Sequence, residues 1–350
     1  IAMPEILPID MLDARKKRKM VSLFSFELKE AIDNALKNRE QVILFQNRRG
    51  FSPYVECGQC AWVAKCQNCD VSLTYHKHTN SLVCHYCSYT VNMPYQCPAC
   101  GTPHLEPHGY GTEQIEEQVK EVFPSARVVR MDLDTARSKK AYENIIEDFE
   151  NYKYDILVGT QMISKGLDFE RVSVVGIINA DSMFNMPDFR ANERCFQLIS
   201  QVSGRAGRHG SRGKVYIQTR DIQNPVVINV MNNDFNRNSQ EQLRERSVFH
   251  YPPFFRMLNI TIKHRDVRMA QMAALELSQS LRQLFGARVL GPQEPVINRI
   301  SNMYLQRIIL KMEKQSSPQQ MKHLMMDTIN RLIGSNRYKG VVVQIDVDPY

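Results

Sequence analysis

Apolar positions recur along this chain in two alternating rhythms. Phe26, Leu28, Ile32, Ala35 and Leu36 fall at helical spacing, and Val42-Ile43-Leu44-Phe45 then form an uninterrupted apolar run of the kind buried on both faces of a sheet. The rhythm breaks between about residues 53 and 108, where cysteines sit among Pro, Gly, Asn and His. It resumes with a helix marked by Ile115, Val119 and Val122, a strand over 126–131, and a helix marked by Tyr142, Ile145, Ile146 and Phe149. Strands over 155–158 and 172–178, a helix over 193–202 and a strand over 215–217 follow. Short apolar strands alternating with amphipathic helices predict an α/β domain, its mostly parallel sheet covered on both faces, with the cysteine segment inserted directly after the first strand.

Beyond Asn224-Pro225 the pattern changes to a helix over 225–248, a strand over 257–263, a long helix over 267–285, strands over 289–290 and 305–311, a helix over 318–333 and a final strand over 341–347. This β-α-β-β-α-β order, after its leading helix, predicts a small α+β domain. At the other end, Pro4, Pro8 and the run Arg15-Lys16-Lys17-Arg18-Lys19 predict a linker or extended arm over 1–20. The opening Ile1-Ala2-Met3-Pro4 reads as a domain boundary. The expected division is therefore arm 1–20, sheet domain 21–52 and 109–224, cysteine insertion 53–108, and α+β domain 225–350, consistent with 350 residues at roughly 150 per domain.

Composition narrows the function classes. Apolar residues are 43% and charged residues 23%, with no apolar run of about 18 residues, so a membrane protein is not expected. Lys and Arg number 45 against 37 Asp and Glu, a formal charge of +8, which favours polyanionic partners such as nucleic acid. Eight of the nine cysteines form four Cys-x-x-Cys pairs between Cys57 and Cys100, and no export leader precedes them. Metal ligands in a reducing cytoplasm fit this pattern better than disulfides.

The pairs are Cys57/Cys60, Cys66/Cys69, Cys84/Cys87 and Cys97/Cys100. Tetrahedral Zn(II) takes four thiolates from two such turns, so eight cysteines supply two closed, structural sites with no ligand left over. Spacing alone allows adjacent, alternating or nested pairing. His76, His78, His85, His104 and His108 read as turn or solvent-facing residues rather than ligands. Trp62, Tyr75, Tyr86, Tyr89 and Tyr95 suit either packing of the turns or stacking on exposed bases. The ninth cysteine, Cys195, lies in an apolar helical pattern and reads as core.

A second constellation faces nucleotide chemistry. Arg205 and Arg208 stand three apart at the end of the helical pattern 193–202, a spacing that suits two guanidinium groups on one face, where such a pair can stabilise charge on a transferring γ-phosphoryl group. Upstream, the strand end Val158-Gly159 opens a polar loop with Thr160, Gln161, Ser164 and Lys165, whose N–H and hydroxyl groups suit a phosphate. Residues 190–214 hold six Lys or Arg side chains, Arg190, Arg194, Arg205, Arg208, Arg212 and Lys214, against the single acid Glu193.

Together with Asn47-Arg48-Arg49-Gly50-Phe51, these segments resemble motifs IV, V and VI of the second RecA-like lobe of superfamily 2 helicases. The eight-cysteine insertion after motif IV narrows the resemblance to the primosomal protein N′ family, the PriA-type replication-restart DNA helicases. Asp188-Phe189-Arg190-Ala191, Tyr251-Pro252-Pro253-Phe254, Gly291-Pro292 and Asp346-Val347-Asp348-Pro349 extend it over essentially the whole chain. The resemblance implies a RecA-like second lobe with a two-zinc insertion and a C-terminal α+β domain. It implies that Gln201, Arg205 and Arg208 face ATP, with Arg205 and Arg208 catalytic and Arg208 the finger, and that Thr160, Gln161 and Lys165 couple the nucleotide cleft to DNA. It further implies one zinc on Cys57, Cys60, Cys97 and Cys100 and the other on Cys66, Cys69, Cys84 and Cys87.

The family's activity is ATP-dependent 3′-to-5′ unwinding with Mg(II), recognition of stalled or abandoned forks, and initiation of primosome assembly. Its partners are branched and single-stranded DNA, single-strand-binding protein and other primosome proteins, in the bacterial cytoplasm at the nucleoid. No Gly-x4-Gly-Lys-Ser/Thr and no Asp-Glu dipeptide occur in this chain, so Walker A and B are missing and the chain alone is expected not to hydrolyse ATP. The alternatives are a non-enzymatic zinc-bearing nucleic-acid adaptor and a zinc-ribbon RNA-processing or transcription factor. Arg299, Arg307 and Lys311 read as solvated surface or as contacts for phosphates or an acidic tail.

Overall fold

The computed structural model describes residues 4–47, 54–69, 71–76, 79–108, 112–132, 135–136, 138–164, 169–207, 212–314 and 318–349. The chain forms two compact units, one of residues 1–63, 95–186 and 190–240, the other of 64–94, 187–189 and 241–350.

The first unit is built on six strands: β1 (Glu5–Asp10), β2 (Gln41–Phe45), β3 (Val128–Met131), β4 (Ile156–Gly159), β5 (Val172–Ile177) and β6 (Lys214–Thr219). All pairings are parallel, in the order β1-β6-β5-β2-β4-β3. Helices α1 (Met11–Lys16), α2 (Phe26–Lys37), α3 (Thr112–Val122), α4 (Lys139–Glu150), α5 (Asp181–Phe184), α6 (Ala191–Ser203) and α7 (Pro225–Met231) cover it. The apolar run on β2 shows why both faces must be covered, since side chains alternate along a strand. Val42 and Leu44 enter a core with Leu28 and Ile32 of α2 and Ile115 and Val119 of α3. Ile43 and Phe45 enter another with Phe149 of α4, Phe196 and Ile199 of α6 and Val227 of α7.

Two sequence expectations change here. Residues 5–10, read as an arm, form the edge strand β1, in register with β6 from Glu5 opposite Lys214 to Asp10 opposite Thr219. Pro8 is tolerated because an edge strand leaves one row of N–H positions unpaired, while Ile9, Met11 and Ala14 are buried. The side chain of Asp10 accepts from the N–H groups of Leu12 and Asp13 at 2.9 and 3.0 Å and so starts α1 within the tract read as a linker. The helix expected over 225–248 is two, α7 and α8 (Phe235–Val248). Asn233, at φ 50°, breaks it, and Asp234 caps the second by accepting from Arg237 N–H at 2.9 Å.

The second unit carries an antiparallel sheet of β7 (Phe255–His264), β8 (Val289–Gln293), β9 (Met303–Glu313) and β10 (Val342–Val347), ordered β8-β9-β7-β10, with the short strand Arg299–Ile300 beside β9. Leu258, Ile260, Ile262, Ile308 and Leu310 point to one face, where α9 (Val267–Phe285) and α10 (Pro318–Ile333) bury them with Leu277, Leu281 and Ile329. Among the described residues no helix is long and apolar enough to cross a membrane.

Candidate metal centres and nucleotide-facing motifs

All four Cys-x-x-Cys turns close in the same way. The N–H of the first cysteine donates to the carbonyl five residues on: Cys57 to Trp62 at 2.8 Å, Cys66 to Val71 at 2.8 Å, Cys84 to Tyr89 at 2.8 Å and Cys97 to Thr102 at 2.7 Å. In each turn whose following residue is among the described residues, the residue after the second cysteine is left-handed: Ala61 at φ 58°, Ser88 at φ 68° and Gly101 at φ 74°. Such a turn aims both sulfurs and nearby N–H groups inward, and Gln59 and Tyr86 donate to Cys57 and Cys84 Sγ at 3.4 Å.

Of the pairings that spacing leaves open, the structure gathers the nested one. Cys57, Cys60, Cys97 and Cys100 form one cluster and Cys66, Cys69, Cys84 and Cys87 the other, with sulfurs within 4.8 Å of one another. Close Sγ pairs stand at 3.6 Å (Cys57 with Cys100, Cys60 with Cys97) and 3.5 Å (Cys66 with Cys87). A zinc–sulfur bond of about 2.3 Å sets the edge of a tetrahedron at about 3.8 Å, so both clusters fit a structural zinc ion. Strand Tyr54–Cys57, paired with Leu105–His108, carries the outer cluster; strands Thr74–His76, Ser81–Val83 and Thr90–Asn92 support the inner one.

The surroundings of the two clusters differ. Cys100 is exposed and Cys60 half-buried in the outer one, whereas Cys66, Cys69 and Cys84 are buried in the inner one. His85, expected as a turn or solvent-facing residue, lies in the turn between Cys84 and Cys87 but is only 4% exposed, and its Nδ1 is 2.8 Å from the Glu294 carbonyl. Burial lowers its pKa to about 4 and so keeps the ring neutral. Tyr86 is likewise buried, while Tyr95 is 97% exposed. His104 is exposed, as expected, and His78 lies outside the described residues.

The outer cluster adjoins a buried ion pair that sequence reading did not single out. Glu56, next to Cys57, stands 3.4 Å from Arg220, just past β6, with both side chains almost fully buried. Burial pushes the Glu56 carboxyl up to about 8 against the pull of the guanidinium. Asp181 ties the same corner by accepting from Thr219 Oγ1 at 2.8 Å and Arg220 N–H at 2.9 Å. Nothing in the sequence marks these three as neighbours, because parallel strands bring together residues far apart along the chain.

The described residues expected to face nucleotide or DNA sit at two edges of the parallel sheet. Thr160 and Gln161 follow β4 at its C-terminal edge, where Gln161 Nε2 donates to Asn47 Oδ1, just past β2, at 3.2 Å. Gly159 makes this turn possible, since a Cβ there would lie 2.3 Å from Ile163 Cδ1 and 2.8 Å from the Met131 carbonyl. Thr160 is buried and Gln161 half-buried. Gln201 is exposed on the last turn of α6 and Arg205 half-buried just beyond it. Gly207 N–H donates to the Val172 carbonyl at 2.9 Å, which ties this stretch to the start of β5, the opposite edge. Arg208, Lys165 and residues 48–53 lie outside the described residues. Cys195 is fully buried, as its pattern implied.

Three family models match the chain: the helicase conserved C-terminal domain over 110–210, the PriA DNA helicase Cys-rich region over 66–91, and the primosomal protein N C-terminal domain over 247–350. Replication restart protein PriA of Bacillus subtilis (strain 168) is 37% identical over 350 residues, covering 99% of this chain and 43% of that protein. That of Synechocystis is 35% identical over 351 residues, covering 98% and 41%, and that of Haemophilus influenzae 36% over 298 residues, covering 85% and 41%. Among solved structures, RecG bound to a three-way DNA junction is similar at 13% identity and a TM-score of 0.38, covering 69% of this chain and 22% of that one. The chain spans about two-fifths of the length of these curated relatives. With the helicase, cysteine-rich and C-terminal models each falling on its own stretch of the fold, the chain belongs to the PriA replication restart family and matches its C-terminal portion.

Proposed function

We propose that this chain is the second motor lobe, zinc module and C-terminal domain of an ATP-dependent 3′-to-5′ DNA helicase. That helicase recognises stalled or abandoned replication forks and initiates primosome assembly. The observation that carries the reading is the helicase match over 110–210, which encloses Thr160, Gln161, Lys165, Gln201, Arg205 and Arg208 in one lobe of the sheet fold. In this role Arg208, with Arg205, lends positive charge to the γ-phosphoryl group as it transfers, and Gln201 orients the nucleotide. The planar guanidinium fork matches phosphoryl oxygens in pairs, which a lysine does not.

Thr160, Gln161 and Lys165 carry the state of the nucleotide cleft to the DNA backbone, and the Gln161–Asn47 hydrogen bond links the two loops that would move together. ATP and Mg(II) are held with a Walker lobe that this stretch does not contain. Forked and single-stranded DNA, single-strand-binding protein and other primosome proteins are the partners, and the bacterial cytoplasm, at the nucleoid, is the place of work.

ATP turnover by the 350-residue chain, with and without forked DNA, is to be compared with that of a chain extended to the length of its relatives. Turnover is expected only in the extended chain. There Arg208→Ala should slow it about 10³-fold while fork binding stays nearly intact. Turnover in the short chain would overturn the lobe assignment. Fork binding without turnover in the extended chain would favour a zinc-bearing adaptor.

A further inference from the structure

Two cations on β9, Lys311 buried and Arg307 half-buried, form no ion pair with a carboxylate among the described residues. Arg307 and Lys311 are four residues apart on that strand, so their side chains share a face, the one opposite α9 and α10. Lys311 is only 9% exposed, and the Nε of Arg307 is buried without a hydrogen-bond partner. A buried, uncompensated charge costs several kcal/mol, so each needs a counter-charge nearby.

Arg307 reaches one turn of the inner cysteine cluster directly, and Lys311 reaches the other through Tyr251. Lys311 Nζ donates to the Phe249 carbonyl at 2.8 Å and sits 3.8 Å from the centroid of the Tyr251 ring, whose hydroxyl donates to the carbonyl of Cys69 at 2.9 Å. Arg307 Nη2 donates to the carbonyl of His85 at 2.5 Å, and its guanidinium lies 5.5 Å from the ring of Tyr86. His85 and Tyr86 are the two residues between Cys84 and Cys87, so Arg307 leans on that turn, while Lys311 is linked to the Cys66–Cys69 turn through Tyr251. Burial lowers the pKa of both cations. The four cysteines pull Lys311 back up, while Tyr86, Cys84 and then Asp188 do so for Arg307.

The charges balance. Four thiolates around Zn(II) carry a net charge of minus two, and in the inner cluster, where three of four cysteines are buried, little water is present to screen it. We propose that Lys311 and Arg307 are the counter-ions of the inner zinc–thiolate centre, so that metal, cysteine turns and C-terminal sheet are held as one electrostatic unit. The outer cluster, with Cys100 exposed, leaves its charge to water.

The test is zinc retention in the full chain carrying Lys311→Met, Arg307→Met or Lys311→Arg. Zinc release to a chromogenic chelator is timed, and mass spectrometry of alkylated cysteines identifies which cluster opens. The neutral variants should release the inner zinc about 10- to 100-fold faster, with Cys66, Cys69, Cys84 and Cys87 alkylated first, because outer-shell partners of metal ligands commonly matter by that factor. Lys311→Arg, which keeps the charge, should release it at close to the native rate. An unchanged rate in both neutral variants, or Lys311→Arg as fast as Lys311→Met, would overturn the proposal. Should Lys311→Met not yield folded protein, Arg307→Met and Lys311→Arg still decide it. Retention of only one zinc by the unsubstituted chain would instead count against the two-zinc reading itself.

Discussion

Asp155 shows how much one residue contributes at an edge of this sheet. Its carboxylate accepts from Arg127 N–H at 2.8 Å, Nε at 3.0 Å and Nη2 at 2.7 Å, and so ties the approach to β3 to the start of β4. The hydrogen bonds from Arg127 hold the Asp155 carboxyl below its usual value, against a smaller desolvation effect. A lowered folded-state pKa means stability that is present above the unfolded value near 3.8 and lost as pH falls through the folded one. With Arg127 55% exposed, solvent screening limits the pair to about 0.5–1 kcal/mol. Asp155→Asn should therefore lower unfolding stability in urea by about that much at pH 7, and the gap from wild type should close below about pH 3.8. A gap that stays constant across that range would mean that the carboxylate charge plays no part. At this scale the sequence shows residues whose type carries the chemistry, the eight cysteines and the arginines of 201–208. It hides those whose role depends on a distant partner. Lys311 reads as a surface lysine because nothing nearby in the chain reveals that Tyr251 and the Cys69 turn cover it.

Elements were more legible than contacts, since hydrophobic period is a local property. The continuous apolar run 42–45 and the helical spacing around Ile115 and Ile199 both locate elements that the structure contains. Residues 5–10 escaped because two prolines and a nearby basic run mask a strand whose stability comes from β6, more than 200 residues away. Gly159 is the element-scale counterpart of that lesson. It ends β4 and allows the turn of Gln161–Ser164 to fold back against Met131 and Ile163. Gly159→Ala should cost about 1–3 kcal/mol, because the new methyl meets a backbone carbonyl that cannot yield as a side-chain tip can. It should also displace Gln161 from Asn47. In a chain extended to the length of its relatives, DNA-stimulated ATP turnover should then fall while zinc content stays at the native level. Native turnover together with the expected loss of stability would separate the turn's structural role from the coupling role proposed for Thr160 and Gln161.

For the whole molecule, the cysteine segment is one insertion in sequence but belongs to two compact units, since Cys57, Cys60, Cys97 and Cys100 fall in the first and Cys66, Cys69, Cys84 and Cys87 in the second. Structural zinc contributes its binding free energy to whatever its ligands hold together, so the two ions should stabilise different parts of the chain. Cys84→Ser removes an inner ligand. Hydrogen exchange should then rise in 71–94, in β9, where Arg307 and Lys311 have lost the charge they answer, and in its neighbour β7, while β2, β4 and β5 stay protected by cores that contain no cysteine ligand. Cys97→Ser should have the complementary effect, loosening the antiparallel pair of Tyr54–Cys57 with Leu105–His108 and sparing β7 and β9. Each variant should retain one zinc. If either substitution loosened both sets of strands and released both ions, the clusters would form a single cooperative element, and the C-terminal sheet could not owe its stability to the inner centre alone.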